Sequence, residues 1–548
     1  MVHLKKAKAI IEGRDKISDL PTFILHNILS LLPREDATRT CVLSKKWNCF
    51  SKFEFDERIF TEEVSSLTPE YLLKFCNFIN VVDKSLRRFF HHQKAIHNND
   101  KLIIQRFVLS VDIPSVDCTD ALVSLVDEWI ESVMDNGIRH LSLMVSIDYR
   151  PYYSLPKNTF QGKSINKFSF LERLALNSVY ISDKIIRDIT RNCPNIEFLS
   201  LYSCYGLKSI DISNLSKLKF CEVADNREHL SRVNINAPNL STFSLEYFYQ
   251  PPPPSDDPRL CCEMSLSCHN LKSLTLSQCS ISDHTLHSNL SRLPLLESLN
   301  IDDCYMLCTI RISAPQLKSI RLCGRDNIKT INIIDAPSLS SFEYVAYNTN
   351  KNPLVFFSKS LQCPMEVVYE IDQYKKLDNS WFLKIREFLQ VFCTDQSKTF
   401  QPYFKDCEVG FNLKELQEVG IPPPVKIENL GLKCLRVEES STYCSSLFDG
   451  LLWSYHPKKI SISSDSIPQR NCAKILYEKL VLARATRSKC CNSLNRKCWR
   501  HELKSVSMEI SQWTEFEDEP RLLYWDQLPR TWPVLGDFGQ VFFHLVWD

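Results

Sequence analysis

At 548 residues the chain exceeds what one compact core organises, so several domains or a repeat array are expected. Hydrophobic residues at 44% and charged residues at 24% describe ordinary globular composition, and 66 basic against 65 acidic residues leave a formal net charge of +1, without the basic excess of a protein that rides on phosphate backbones. Met1 to Lys6 leads into no apolar signal segment and no stretch approaches the roughly 20 apolar residues of a membrane span, so a soluble, non-secreted protein is expected, its 23 cysteines mostly buried, reduced thiols.

The first legible element lies at residues 22–32, where Ile24, Leu25, Ile28, Leu29 and Leu32 recur at helical spacing and Pro33 ends the helix. Arg34-Glu35-Asp36 opens a second helix with two acids in its first turn, where the helix dipole favours them, and Leu43, Trp47 and Phe50 follow at i, i+4, i+7. Helices this short make a poor independent core, which leaves apolar residues for burial in a partner. One reading is a helical hairpin that packs on the rest of the chain. The other rests on order: Asp15-Lys16-Ile17-Ser18-Asp19-Leu20-Pro21, Ile24-Leu25, Ile28-Leu29-Ser30, Leu32-Pro33, Ala37 and Val42-Leu43-Ser44-Lys45-Lys46-Trp47. This ordered set resembles the F-box, in its plant form, over residues 15–60. The resemblance implies that Leu20, Pro21, Ile24, Leu25, Ile28, Leu32, Pro33, Val42, Leu43 and Trp47 include the residues that bind a Skp-type adaptor and, through it, a cullin. Residues 61–100 read as a linker or helical connector.

From residue 101 a strand–helix–strand unit is expected: Ile104 to Leu109, a helix capped by Asp120 and ended by Gly137, then Ile138 to Leu143. Self-similar L-x-x-L-x-L segments then begin at Leu171, Ile196, Leu218, Leu240, Leu271, Leu296, Leu317 and Leu339, at steps of 25, 22, 22, 31, 25, 21 and 22 residues. All but one step fall in the leucine-rich-repeat range. Cys204, Cys279, Cys304 and Asn226 hold the following position, where a thiol or amide can bond the backbone as the chain leaves the strand. Four units repeat a second alternation (Leu207-Ile210-Ile212, Leu230-Val233-Ile235, Leu307-Ile310-Ile312, Ile328-Ile331-Ile333), which predicts short extended return segments. Three of them run into Ala237-Pro238, Ala314-Pro315 and Ala336-Pro337, which turn the chain into the next strand. Ile181-Ser182-Asp183 and Ile281-Ser282-Asp283 each precede a helix-like stretch, so residues 171–249 and 271–347 read as an internal duplication. The 31-residue step, with Pro251 to Pro254, predicts a surface loop.

The fold class is therefore α/β: a small N-terminal helical F-box (15–60) followed by a leucine-rich-repeat solenoid with a parallel concave sheet (101–400). Residues 401–548 form a C-terminal repeat-like or FBD-related region, since Leu447 to Pro457 resembles the C-terminal region of the same plant group. Strands recur weakly at Leu432 to Val437 and Leu503 to Met508. Chemistry finds little support. Gly162-Lys163-Ser164 lacks the upstream glycine of a phosphate loop, and the clusters Cys490, Cys491, Cys498, His501 and Cys261, Cys262, Cys268, His269 lack a C-x-x-C knuckle. No cofactor, metal, catalytic residue, nucleic acid or membrane partner is expected.

The function expected from the resemblance is substrate recognition for an SCF-type (Skp–cullin–F-box) ubiquitin ligase, non-catalytic, in cytoplasm and/or nucleus. The alternative is an adaptor-bound scaffold that delivers nothing for degradation. Lys272, Lys318 and Arg321, at exposed positions of the repeat strands, are candidates to face the protein substrate. A fragment beginning near residue 100 is expected to fold without the box.

Overall fold

A computed structural model describes residues 52–61 and most of 68–548. Outside it lie 1–51, 62–67, 97–102, 161–167, 248–260, 487–497, 513–520, 529–538 and short stretches between other elements. All ten adaptor-binding candidates of the box lie outside the described residues, as do Pro251 to Pro254. The chain divides into two units, residues 1–251 with 262–269 and residues 252–261 with 270–548.

In the first unit a parallel ladder runs through Lys52–Asp56, Ile104–Ile113, Ile138–Ile147, Arg173–Asn177, Phe198–Tyr202, Phe220–Asn226 and Thr242–Tyr247. Each strand alternates: Leu174, Leu176, Leu199, Leu201, Cys221, Val223, Phe243 and Leu245 are buried, and the residues between them point to the other face. Ser209–Ser213, Arg232–Asn236 and Glu263–Leu266 pair in parallel as a second, shorter sheet. The return segments expected from Ile210-Ile212 and Val233-Ile235 are thus strands, and the alternation placed them because both residues of each pair are buried. The ladder begins with a capping group. Lys52–Asp56 lies beside Ile104–Ile113, and the helix Pro69–Ile96 buries Phe78, Val82, Leu86 and Phe89. Asp83 of that helix accepts from Trp129 Nε1 at 3.3 Å, tying it to the helix Thr119–Asn136. Gly137 ends the latter helix at φ +81°, which a side chain rarely adopts.

The second unit repeats the scheme through Ser273–Ser277, Ser298–Asp302, Ser319–Gly324, Ser341–Tyr347 and Met365–Ile371, with Thr309–Ser313, Thr330–Asp335 and Leu354–Phe357 as its second sheet. Beyond these, α-helices join the return side, where Lys376–Asp378 and Glu408–Gly410 still pair as a short parallel sheet. The helices Asn379–Val391, Ser441–Ser454 and Ile467–Thr486 accompany the strands Lys398–Lys405, Val425–Leu435 and Tyr455–Ser463, all parallel. The ladder closes antiparallel. Gly539–Trp547 inserts between Tyr455–Ser463 and Leu503–Gln512, and Arg521–Tyr524 lies outermost. Terminal units of repeat folds depart from the repeat because one of their faces has no neighbouring coil.

Two local devices make each coil. Before five of the strands a tight turn carries proline at its second position: Cys193-Pro194, Ala237-Pro238, Leu293-Pro294, Ala314-Pro315 and Ala336-Pro337. In each, the amide three residues on donates to the first residue's carbonyl at 3.1–3.3 Å. Proline presets the φ this turn needs and has no amide to strand. After the strands the chain leaves through a left-handed residue, Ser178, Ser203, Gln278 or Asp303, at φ 46–55°. The buried thiols of Cys204 and Cys304 donate back to Leu176 O at 3.4 Å and Leu276 O at 3.6 Å. Cys279 donates to Ser277 O at 3.4 Å. Pairs 100 residues apart thus have the same conformation and the same partner, which gives the duplication a structural basis. Asp183 and Asp283 add to it: each takes the first amides of the next return strand, Lys208 and Ser209 for one (2.9 and 3.2 Å), Cys308 and Thr309 for the other (2.8 and 2.9 Å).

Candidate interaction surface

In a parallel ladder in register, equivalent side chains of neighbouring strands stand beside one another, so the outward face is a set of rows. In the second unit the first row is Ser273, Ser298, Ser319 and Ser341, with the Ser319 hydroxyl donating to Ser298 Oγ at 3.1 Å. The next row is Thr275, Asn300, Arg321, Glu343 and Glu366. Arg321 is exposed in this row, as strand alternation predicts, Lys272 and Lys318 are exposed just before their strands begin, and each of the three is engaged. The Glu297 carboxylate takes Lys272 Nζ at 3.0 Å and Lys318 Nζ at 2.6 Å, and Glu343 lies 3.4 Å from Arg321. The Lys318 and Lys272 hydrogen bonds hold the Glu297 carboxyl below its ordinary range, while burial, with Glu343 alongside, raises that of Glu366. The second unit therefore presents hydroxyls and internally matched charges.

The first unit presents another chemistry on the same frame. The row equivalent to the serines is Arg173, Phe198, Phe220 and Thr242, continued on the other side by His140, Arg106 and Lys52. The half-buried rings of Phe198 and Phe220 stack with centroids 4.5 Å apart and planes 3° apart. The Arg173 guanidinium lies 4.0 Å over the Phe198 ring. Arg106 pairs with Glu54 at 2.9 Å, and Glu172 takes Arg139 at 2.8 Å with His140 at 3.8 Å. Burial is the main cause that lowers the His140 pKa, Glu172 opposing it and the three neighbouring arginines adding to it. Among the described residues Arg173 makes no ion pair. Sequence reasoning passed over Arg173, Phe198 and Phe220. The available signal was an aromatic at the third position of two consecutive units, Ile196-Glu197-Phe198 and Leu218-Lys219-Phe220, where the four units from Leu271 on carry serine.

No group of three His, Cys, Asp or Glu side chains among the described residues is placed to hold a metal. No described helix is long and apolar enough to cross a membrane. Eleven of the fourteen free cysteines among the described residues are buried, and burial pushes the Cys204 thiol up to about 12.

The repeat architecture and these rows define a leucine-rich-repeat interaction protein. Comparison with known proteins adds the N-terminal part. The F-box domain model matches residues 17–54, the LRR domain of At1g61320/AtMIF1 matches 100–250, and the LRR repeats of FBD-associated F-box protein At5g56370 match 256–354. Relatives in Arabidopsis thaliana include F-box/FBD/LRR-repeat protein At1g13570, 29% identical over 226 residues (38% of this chain, 49% of the relative). F-box protein At5g03100 is 27% identical over 252 residues (44% and 72%), and F-box/LRR-repeat protein At3g58900 is 28% identical over 258 residues (43% and 72%). Among the leading matches the chain spans about half the length of the curated relatives, at 57%, 49% and 49%. The chain is thus similar to plant F-box/LRR-repeat proteins, over the box at 17–54 and over the repeats at 100–250 and 256–354.

Proposed function

We propose that the chain is the substrate-recognition subunit of an SCF-type ubiquitin ligase. The observation that carries this reading is the order of parts: an F-box match at 17–54 directly ahead of a long in-register ladder with outward rows of side chains. On this reading Leu20, Pro21, Ile24, Leu25, Ile28, Leu32, Pro33, Val42, Leu43 and Trp47 supply the apolar surface for the Skp-type adaptor. The adaptor brings the cullin, and the ladder face, with Lys272, Lys318 and Arg321 among its candidate positions, holds a protein target in the cytoplasm and/or nucleus. The chain is non-catalytic and uses no cofactor; it contributes proximity, raising the effective concentration of target at the ligase while other subunits transfer ubiquitin.

The test compares proteins captured by the full chain with proteins that accumulate when its gene is deleted. A receptor predicts a captured protein that accumulates on deletion and is stabilised equally by proteasome inhibition. A captured set whose turnover ignores the deletion would mean a scaffold.

A further inference from the structure

The duplication provides an internal comparison. Residues 171–249 and 271–347 share the buried leucine positions, the cysteine bonds, the left-handed exits and the aspartate caps. Whatever the coil needs for folding, both copies possess. The outward row is where they part: Ser273, Ser298 and Ser319 in one copy, Arg173, Phe198 and Phe220 in the other. Because the serine copy builds the same coil, folding does not demand two phenylalanines on the open face. Keeping them there leaves apolar ring surface in water, which is unfavourable.

The pair is also preorganised. Phe220 stacks on one face of the Phe198 ring at 4.5 Å and the Arg173 guanidinium covers the other at 4.0 Å, so an arriving group meets a narrow apolar platform of ring edges with a fixed cation at one end of the stack. That cation differs in kind from those of the second unit. Lys272, Lys318 and Arg321 are matched by Glu297 and Glu343, whereas Arg173 makes no ion pair among the described residues; Glu197, the carboxylate that feels its charge, is hydrogen-bonded to Lys219, and Arg173 stands in line with His140 and Arg106. Aromatic side chains and arginine are the residue types on which binding energy concentrates in protein interfaces. We propose that the Arg173–Phe198–Phe220 row is the anchor point for the partner protein, and that it takes a peptide segment presenting a carboxylate next to an aromatic or aliphatic side chain. The apolar side chain lies on the Phe198–Phe220 platform and the carboxylate pairs with the Arg173 guanidinium, a fork that matches it bidentately. This deepens the substrate-receptor reading and rests on it only for what becomes of the partner afterwards.

The comparison also supplies the variant. Arg173→Ser, Phe198→Ser and Phe220→Ser together write the second copy's own row onto the first, so the coil is expected to remain folded, checked by its thermal unfolding. A library of random 12-residue displayed peptides is panned on the full chain and on this triple variant. The expected result is enrichment of sequences with Asp or Glu beside Phe, Leu or Ile. Their binding should weaken about tenfold or more on the triple variant and fall with added salt. No enrichment, enrichment without an acidic residue, or equal binding to the folded triple variant overturns the proposal. If the triple variant instead changes the oligomeric state in light scattering, the row is covered by a second copy and the proposal is equally overturned. Should the triple variant fail to fold, Arg173→Gln alone decides, because it keeps the platform and removes only the charge. Adaptor co-purification is unaffected by any of these changes, so failure here stays distinct from failure of the ligase reading.

Discussion

At the residue scale, polar side chains close one coil on the next. Asp283 accepts two backbone amides of the following return strand, at 2.8 and 2.9 Å. Asp283→Ala leaves both amides without that acceptor, and a cost of about 1–3 kcal/mol is expected. Asp283→Asn, which keeps an acceptor oxygen, should recover part of the loss in denaturant titrations. A second residue gives a pH signature. The buried His456 ring stacks on Trp547 with centroids 4.1 Å apart and planes 1° apart. Burial pushes its pKa down to about 4, with Arg386 and Lys426 acting in the same direction, even though Glu502 Oε2 lies 3.2 Å away. In the unfolded chain the imidazole takes its proton near its ordinary value of about 6.5. Between these values the unfolded state therefore binds more protons than the folded state, and the His456 contribution is lost as pH falls from about 6.5 to about 4. His456→Phe should flatten that part of the pH–stability profile; a profile equally steep in the variant assigns the loss to other groups. The cysteine roles were legible from sequence, because a thiol after L-x-x-L-x-L has one obvious carbonyl to reach. The Arg173–Phe198 cap was not, since ring and guanidinium meet only through the register of strands 25 residues apart.

At the scale of elements, alternation carried the information. The return strands Ser209–Ser213, Arg232–Asn236, Thr309–Ser313 and Thr330–Asp335 were legible because each buries two β-branched residues two apart. Glu263–Leu266 and Leu354–Phe357 were not, the first carrying methionine and leucine in place of that pair. The helix crossings beyond residue 375 were illegible for a different reason. Gly450 lies inside the helix Ser441–Ser454, where propensity alone favours alanine, yet a Cβ there would stand 2.4 Å from the Phe382 ring. The glycine lets the helices Ser441–Ser454 and Asn379–Val391 approach, and Arg386 of the latter stacks on Trp453 at 4.5 Å and donates to Pro423 O and Trp453 O. Gly450→Ala is expected to destabilise by about 1–3 kcal/mol despite its better helix propensity. A gain in unfolding midpoint would show that the helices separate freely.

At the scale of the whole molecule, the contacts of Lys52–Asp56 place part of the entry cap ahead of residue 100, so a fragment beginning there is predicted to lose it. The strand Lys52–Asp56 pairs with Ile104–Ile113, and Phe53 and Phe55 are buried with Phe89 and Phe107 against them. Removing residues before 100 bares a strand edge and this aromatic cluster. A fragment of residues 52–548 should be soluble and cooperative, and one of residues 100–548 should aggregate, as size-exclusion chromatography would show. The sequence missed the strand because Lys-Phe-Glu-Phe-Asp is too short to stand out beside the box. The repeats were legible throughout 171–347 because their period is carried by buried leucines, whereas an outward row is free to vary and leaves no period to find. The proposed function is that one chain joins a ligase to a partner through separate surfaces. It is tested most directly by recovery of the Skp-type adaptor on purified Leu20→Ala/Pro21→Ala double variant and on wild type, at low and high salt. The account predicts strong, salt-insensitive recovery on wild type, because the joint is apolar, and loss of the adaptor from a double variant whose unfolding midpoint is unchanged. Adaptor recovered equally on both would contradict it.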